Sequence, residues 1–391
     1  MHPSNGKYVD ITRNTMSIAR HPEFPLAEPL IYLNHAAVGP WPKRTAEAVA
    51  GFARENCTFG SRNYPDWLKK EAQLRRQFQQ LLNAPSSDDI ALVKNTSEAL
   101  SFVAYGLNWR PGDNIVSSNE EFPSNRVPWQ SLASQGVEFR QADLHGQSAP
   151  EQALFDLVDR NTRLLTISSI QFATGLRLDL EKIGGFCRRR NIFFCIDAIQ
   201  SIGAVEFDVQ ACQADFVMAD GHKWLLGPEG LGFFYSTPQA REQLRLTQYG
   251  WHMLKDIHDY ANQPWEVHPG ARRFECGSPN MLGIHALSAS LSLLLETGMR
   301  SIEQMVLRNA NHLKEKIKSS KNLDLLFDNP TQLQSGIVLF KHRKIENKPL
   351  LRLLWDSGII CARRGGGIRF SPHFYHDIAE LDQAMALLAS C

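Results

Sequence analysis

Phe193-Phe194-Cys195-Ile196-Asp197-Ala198-Ile199-Gln200 and Phe216-Val217-Met218-Ala219-Asp220-Gly221-His222-Lys223-Trp224 are the stretches whose reading decides the fold. Each opens on a short run that is apolar at nearly every position and then breaks into polar residues. A run without alternation is the pattern of a strand covered on both faces, as in a parallel sheet. Similar runs stand at Ala91–Val93, Asn114–Val116, Val137–Arg140, Leu164–Ser168 and Leu231–Tyr235, with amphipathic segments between them. The pattern predicts an α/β fold with a large, mostly parallel seven-stranded sheet covered by helices. Ligands of open α/β sheets bind beyond the carboxyl ends of the strands, and Asp197, Gln200, His222 and Lys223 follow such ends directly. One cleft is therefore expected to gather them.

Working outward, 391 residues with 43% hydrophobic content are more than one core usually holds, which predicts two domains. A helix from Met281 to Thr297, stopped by Gly298, leads into two further helix patterns and short strands at Ser335–Phe340, Ile359–Cys361 and Ile368–Phe370. The expected division is an N-terminal segment, 1–30, packing on the small domain, a large domain, 31–283, and a small C-terminal α/β domain, 284–391. The stretch from about residue 250 to Arg273, rich in Trp, His, Tyr and Pro, reads as a loop region over the cleft.

Composition narrows the function. Forty-two basic and 41 acidic residues leave a formal charge of +1, so no global field draws the protein to nucleic acid or an anionic membrane, and a small-molecule role follows. Seven cysteines lack any Cys-x-x-Cys pair, which fits a reducing, cytoplasmic setting. The first thirty residues contain no apolar stretch of signal-peptide length, and Ile284–Leu295 is broken by His285 and serines, short of a bilayer crossing. His373-Phe374-Tyr375-His376 lacks carboxylates or thiols at a ligand spacing, so no metal is expected.

The two lead stretches also carry chemistry. An aldehyde cofactor needs a lysine amine for a Schiff base, and burial beside other cations lowers that lysine's pKa; Lys223 is the candidate. A pyridine ring acts as an electron sink while its nitrogen stays protonated, which calls for a buried carboxylate such as Asp197. Gln200 is placed to hold the ring's phenolic oxygen. In Asn95-Thr96-Ser97-Glu98-Ala99, Thr96 and Ser97 lie between a strand and a helix, where amides and hydroxyls cradle phosphate, although Ser and Thr are also favoured there as plain N-caps.

The Asp197-x-x-Gln200 and His222-Lys223 pair, with Ile31-Tyr32-Leu33-Asn34-His35-Ala36-Ala37 at the start and the Arg369 segment near the end, resembles the class V aminotransferases, a family that includes cysteine desulfurases, selenocysteine lyases, kynureninases and isopenicillin N epimerases. The resemblance covers nearly the whole sequence. It implies the fold of fold type I pyridoxal-phosphate enzymes, with pyridoxal 5'-phosphate on Lys223, His222 beside it, Asp197 on the pyridinium and Gln200 on the phenolate. It favours phosphate binding at Thr96 and Ser97, stacking of Phe122 on the ring, and a homodimer with a shared active site, in which Ser278 reaches the partner's phosphate. It makes Arg369 the clamp for an amino-acid α-carboxylate, with His35 and Gln171 near the substrate. It leaves open transamination, lyase cleavage of a C–S or C–Se bond in the substrate's side chain, kynureninase-like hydrolysis and epimerisation. A catalytically silent, cofactor-binding regulatory protein is the alternative of another class.

Three positions depart from the desulfurase pattern. The mobile loop that carries their nucleophilic cysteine is here Arg363-Arg364-Gly365-Gly366-Gly367, and Cys361 ends an apolar run that reads as buried. Phe172 stands where desulfurases have asparagine, and Asp220 where they have a phosphate-binding serine. Persulfide-forming chemistry on the enzyme is therefore disfavoured. Arg363 and Arg364 either contact a second acidic group or brace the loop.

Overall fold

The computed structural model describes residues 21–257, 265–330 and 333–391. Its strands are, in sequence order, β1 (Ile31–Tyr32), β2 (Ile90–Val93), β3 (Asn114–Ser118), β4 (Glu138–Ala142), β5 (Thr162–Ser168), β6 (Phe193–Asp197), β7 (Phe216–Asp220), β8 (Gly232–Ser236), β9 (Leu323–Leu325), β10 (Val338–His342), β11 (Ile359–Ile360), β12 (Ala362–Arg364) and β13 (Gly367–Phe370). The seven runs expected from hydropathy form one sheet, ordered β2-β8-β7-β6-β5-β3-β4. Five of them, β4, β3, β5, β6 and β7, are linked by parallel pairing. β8 runs antiparallel to both of its neighbours, β7 and β2. The inner strands of the sheet are buried because both faces are covered, while the edge strand β4, Glu138–Ala142, is partly exposed. Leu165, Ile167, Phe194, Ile196, Val217 and Phe233 enter one core, while the alternate residues Leu164, Cys195, Phe216, Met218 and Phe234 enter the other.

The ends of β6 and β7 lie side by side, with Asp197 paired to Met218. Because β2 and β7 both flank the antiparallel β8, the segments leaving Val93 and Asp220 emerge at the same edge, each opposite Gly232. The antiparallel turn also brings the Gly227–Gly230 connection to this edge. These placements make the cleft.

The helix Met281–Thr297 is continuous across residues 283 and 284. It packs on the helices Lys43–Phe59 and Tyr64–Leu82, where Ser290 Oγ meets Thr45 Oγ1 at 2.7 Å and Ser288 Oγ donates to Gln77 Oε1 at 2.8 Å. Three helices follow it, at Met299–Ser319, Asn347–Asp356 and Ile378–Ser390, one more than hydropathy indicated. They cover a second sheet, antiparallel and ordered β12-β13-β10-β9, with its own core of Leu313, Phe340, Leu350, Ile368, Phe370 and Leu381. The strand expected at Ser335–Phe340 starts at Val338 and runs on to His342. Ile359 and Ile360 pair with β1, so the protein's first strand joins its late ones. Upstream of β1, the Phe24 ring stacks on Tyr375 with centroids 3.6 Å apart. The N-terminal residues 1–20 lie outside the described residues. No single helix among the described residues is long and apolar enough to cross a membrane.

Candidate active site

Lys223 sits on the loop that leaves β7, and three contacts fix that loop. Gly39 N donates to His222 O at 2.7 Å, and a Cβ on Gly39 would lie 2.4 Å from Lys223 O, so only glycine allows this approach. Trp224, fully buried, donates from Nε1 to Gln200 Oε1 at 2.9 Å. The carbonyl of Trp224 accepts from His373 Nε2 at 3.0 Å.

His373 belongs to a buried node. Its Nδ1 accepts the Phe374 N–H at 2.8 Å, so the ring is neutral with its proton on Nε2. His376 donates from Nε2 to Tyr32 O at 2.7 Å and accepts the His373 N–H on Nδ1. His35 donates from Nδ1 to Ser371 O at 2.9 Å and accepts the Tyr375 hydroxyl on Nε2 at 2.8 Å. Burial holds all three below the usual histidine range, His373 at about 3 and His376 at about 4.

In front of this node lies a cavity of about 320 Å³, whose walls include Thr96, Ser97, Phe122, Asp197, Gln200, His222, Lys223 and Arg369. Eight of the eleven site residues read from sequence are thus brought together. Burial pushes the Lys223 amine down, against the opposing pull of Asp197. Burial pushes the Asp197 carboxyl up, while the Ile199 N–H, donating to Oδ1 at 3.0 Å, and Lys223 act the other way. The Lys223 Nζ lies 5.6 Å from the centroid of the Phe122 ring, which is 40% exposed and therefore lines the cavity rather than the core. Asp220 Oδ1 lies 3.2 Å from His222 Nδ1, with neither atom making a hydrogen bond.

The helix Thr96–Gly106 is capped by Asn95, whose side chain accepts the Glu98 N–H. Thr96 and Ser97 are the first helical residues, and their backbone N–H groups have no intrahelical partner. Their hydroxyls serve the cavity wall, Thr96 Oγ1 accepting the Asp220 N–H at 3.1 Å and Ser97 Oγ donating to Ser124 Oγ at 3.0 Å. A helix start with a positive end therefore opens on the cavity.

Arg369 is 1% exposed, and its Nη1 donates to Phe172 O at 2.6 Å while its Nε has no partner. Among the described residues no carboxylate pairs with it. A buried guanidinium left in this way is costly unless an anion completes it. Burial, and then Arg364, lower its pKa.

Three sequence-read residues stand elsewhere. His35 is fully buried behind the wall with both ring nitrogens engaged. Gln171 is fully buried and donates to Glu121 Oε1 at 2.8 Å, so Phe172 rather than Gln171 reaches the cavity. Ser278 lines a separate cavity of about 270 Å³.

Sequence reading missed Glu121, which is buried and accepts from Ser168 N, Ser168 Oγ, Gln171 and Asn125, bracing the base of the Phe122 segment. It also missed Glu229 and Ser124 on the walls. Of the pair Arg363 and Arg364, only Arg364 lines the cavity. The nearest thiol candidate, Cys361, is fully buried and pushed up to about 12 by that burial.

Residues 31–383 match the family model described as aminotransferase class-V. The protein belongs to the class V aminotransferase family, whose members are enzymes that use pyridoxal phosphate. A probable cysteine desulfurase of Methanothermobacter thermautotrophicus is 31% identical, covering 92% of this sequence and 94% of that one. A probable cysteine desulfurase of Pyrococcus abyssi is 27% identical over 94% and 95%. Among solved structures, the cystine C-S lyase C-DES in complex with cysteine persulfide has a TM-score of 0.85 at 24% identity, covering 93% of this protein and 98% of that one. The cysteine desulfurase of Thermococcus onnurineus NA1 has a TM-score of 0.82 at 22% identity, over 92% and 94%. The fold is that of fold type I pyridoxal-phosphate enzymes. The residues present fit that cofactor: an amine, a buried carboxylate with Oδ1 held by a single backbone N–H, and the amide end of a helix share one cavity.

Proposed function

We propose that this protein breaks a C–S bond in the side chain of an L-amino acid, releasing sulfur on a fragment of the substrate rather than on a cysteine of its own. The observation that carries the proposal is a cavity lined by Lys223 and by Arg369, whose Nε has no partner and which no carboxylate pairs, and by no cysteine among the described residues. Relatives named cysteine desulfurases and a structural neighbour that is a cystine lyase support C–S chemistry.

In this reading Lys223 carries the cofactor, which, when bound, supplies an electron sink for charge at the substrate's α-carbon. Asp197 holds a proton at the ring nitrogen, the Thr96 and Ser97 end of the helix holds the phosphate, and the Phe122 face stacks on the ring. Arg369 grips the α-carboxylate through two parallel N–H donors, which fixes the α-carbon beside the Lys223 amine. A lysine whose pKa is lowered toward neutrality takes the α-proton and returns it. The protein is proposed to act as a homodimer in which Ser278, outside its own cavity, completes the partner's.

The test is the visible spectrum of the purified holoenzyme before and after borohydride, in wild type and Lys223→Ala, followed by assay of pyruvate and sulfide from sulfur amino acids. A borohydride-sensitive band lost in the variant, with pyruvate released, supports the proposal. Absence of the band overturns the cofactor role of Lys223, and a 2-oxo acid that keeps its sulfur side group shows transamination instead.

A further inference from the structure

What Gln200 does on the cavity wall depends on which end of its amide faces inward, because the oxygen accepts hydrogen bonds and the nitrogen donates them. Its neighbours settle the choice. The indole of Trp224 has a donor and no acceptor, so the atom it meets at 2.9 Å is Oε1. The carbonyl of Ala36 only accepts, so the atom it meets at 3.1 Å is Nε2. The two contacts agree. Among the described residues they leave Nε2 with one unused N–H, on a side chain that is buried and lines the cavity.

Trp224 is itself wedged in place. Its carbonyl accepts from His373 Nε2 at 3.0 Å, and Gly203, at φ 93°, comes so close that a Cβ there would lie 2.3 Å from the same oxygen. The far end of the indole is enclosed by Gly336, where a Cβ would lie 2.7 Å from Cη2. Side chains packed this closely hold one rotamer, so the indole N–H is a fixed point against which the Gln200 amide is set. Without that N–H, only the contact to Ala36 O would remain, and the terminal torsion of a glutamine is broad.

We propose that Trp224 is a positioning residue that fixes the Gln200 amide with its free N–H toward the anionic ring oxygen of the bound cofactor, and so sets how firmly the Lys223 nitrogen keeps its proton. The proposal rests on the reading that Lys223 carries the cofactor and Gln200 meets its ring oxygen. A donor on that oxygen draws off negative charge that otherwise holds the neighbouring proton. The donor therefore lowers the pH at which the Lys223 nitrogen gives the proton up. The charged groups that act on Lys223, namely Asp197, Arg369, Asp220 and Arg364, and His222 on the same wall, are the same in every variant below.

The test is the pH midpoint of the visible absorption band of the holoenzyme in wild type, Trp224→Phe, Gln200→Ala and the double variant. Trp224→Phe is expected to raise the midpoint by about 1 pH unit, the scale of one hydrogen bond to a charged oxygen. Gln200→Ala is expected to raise it at least as far. In the Gln200→Ala background Trp224→Phe is expected to add nothing, because its effect passes through Gln200. Replacing Trp224 with 3-benzothienylalanine, in which sulfur stands in place of the indole N–H, keeps the packing and is expected to give the same rise; it carries the test if Trp224→Phe does not fold. An unchanged or lowered midpoint without the indole N–H, or an equal added shift in the Gln200→Ala background, overturns the positioning role. A wild-type midpoint in Gln200→Ala overturns the role of Gln200 and the proposal with it. A band that survives Lys223→Ala overturns instead the reading of Lys223 on which the proposal rests.

Discussion

The neutral histidines behind Lys223 make a sharp prediction about acid. His376 titrates near 6.5 in an unfolded polypeptide but is held at about 4 in the native protein by burial. A depressed native pKa means that the unfolded state binds the proton first. The stabilisation from a neutral His376 is therefore complete above pH 6.5 and is lost as pH falls from there toward 4. At pH 5.0 the unfolded histidine is almost fully protonated and the native one almost not at all, a difference of about 1.5 pH units, or about 2 kcal/mol. Other groups titrate over the same range, so the clean measurement is a difference of differences. In His376→Gln the amide retains a donor for Tyr32 O but cannot titrate. Urea unfolding of wild-type and variant holoenzymes, followed by tryptophan fluorescence, should show the variant less stable at pH 7.5 and the gap about 2 kcal/mol narrower at pH 5.0. A gap of equal size at both pH values refutes the argument that His376 is buried and neutral.

Two further predictions follow from buried contacts. Arg75 joins Glu71 and binds Glu275 through both Nη atoms, at 2.5 and 2.8 Å, with the three side chains largely buried and His252 alongside. Arg75→Ala strands two carboxylates and should cost about 3–5 kcal/mol in urea unfolding at neutral pH; a cost under about 1 kcal/mol rules out a buried pair. Gly39→Ala places a carbon against Lys223 O and should cost about 1–3 kcal/mol and weaken pyridoxal-phosphate binding. Gly51→Ala, with open space around it, is the control that should bind the cofactor normally. Equal cofactor affinity in the two variants would contradict the close approach.

Much of this architecture is legible in sequence because burial on both faces leaves strands such as β2, β6, β7 and β8 apolar at most positions. Most of the seven runs are read from that signal, and the helix Met281–Thr297 from a long apolar-leaning stretch stopped by Gly298. Strand direction is not, since hydropathy is the same for either sense, and the antiparallel β8 emerges only with the pairing. The three-residue β9, with Asp324 at its centre, has too little apolar sequence to stand out. At the site, residues that follow strand ends are found because topology sends them to one edge. The missed Glu121 acts through hydrogen bonds to segments some 47 residues away, which no local pattern encodes. The cap at Asn95 is legible from residue type, since asparagine is among the favoured caps, yet the family resemblance points to Thr96 and Ser97 instead. The choice between Arg363 and Arg364 is also within reach, because counting back from Arg369 across a Gly-Gly turn gives the face of each.

The histidine node also bears on how the protein is made. His376 binds the carbonyl of Tyr32 across 344 residues, His35 binds Tyr375 across 340, and the carbonyl beside Lys223 rests on His373 across 149. A ribosome that has released everything through β8 has delivered Lys223, Asp197 and the start of the Thr96–Gly106 helix, but neither Arg369 nor the support behind the lysine loop. Such long closures cost entropy before they return any contact. The cavity is therefore backed only once the segment around His373–His376 has closed onto those around Tyr32 and His35, more than 300 residues earlier.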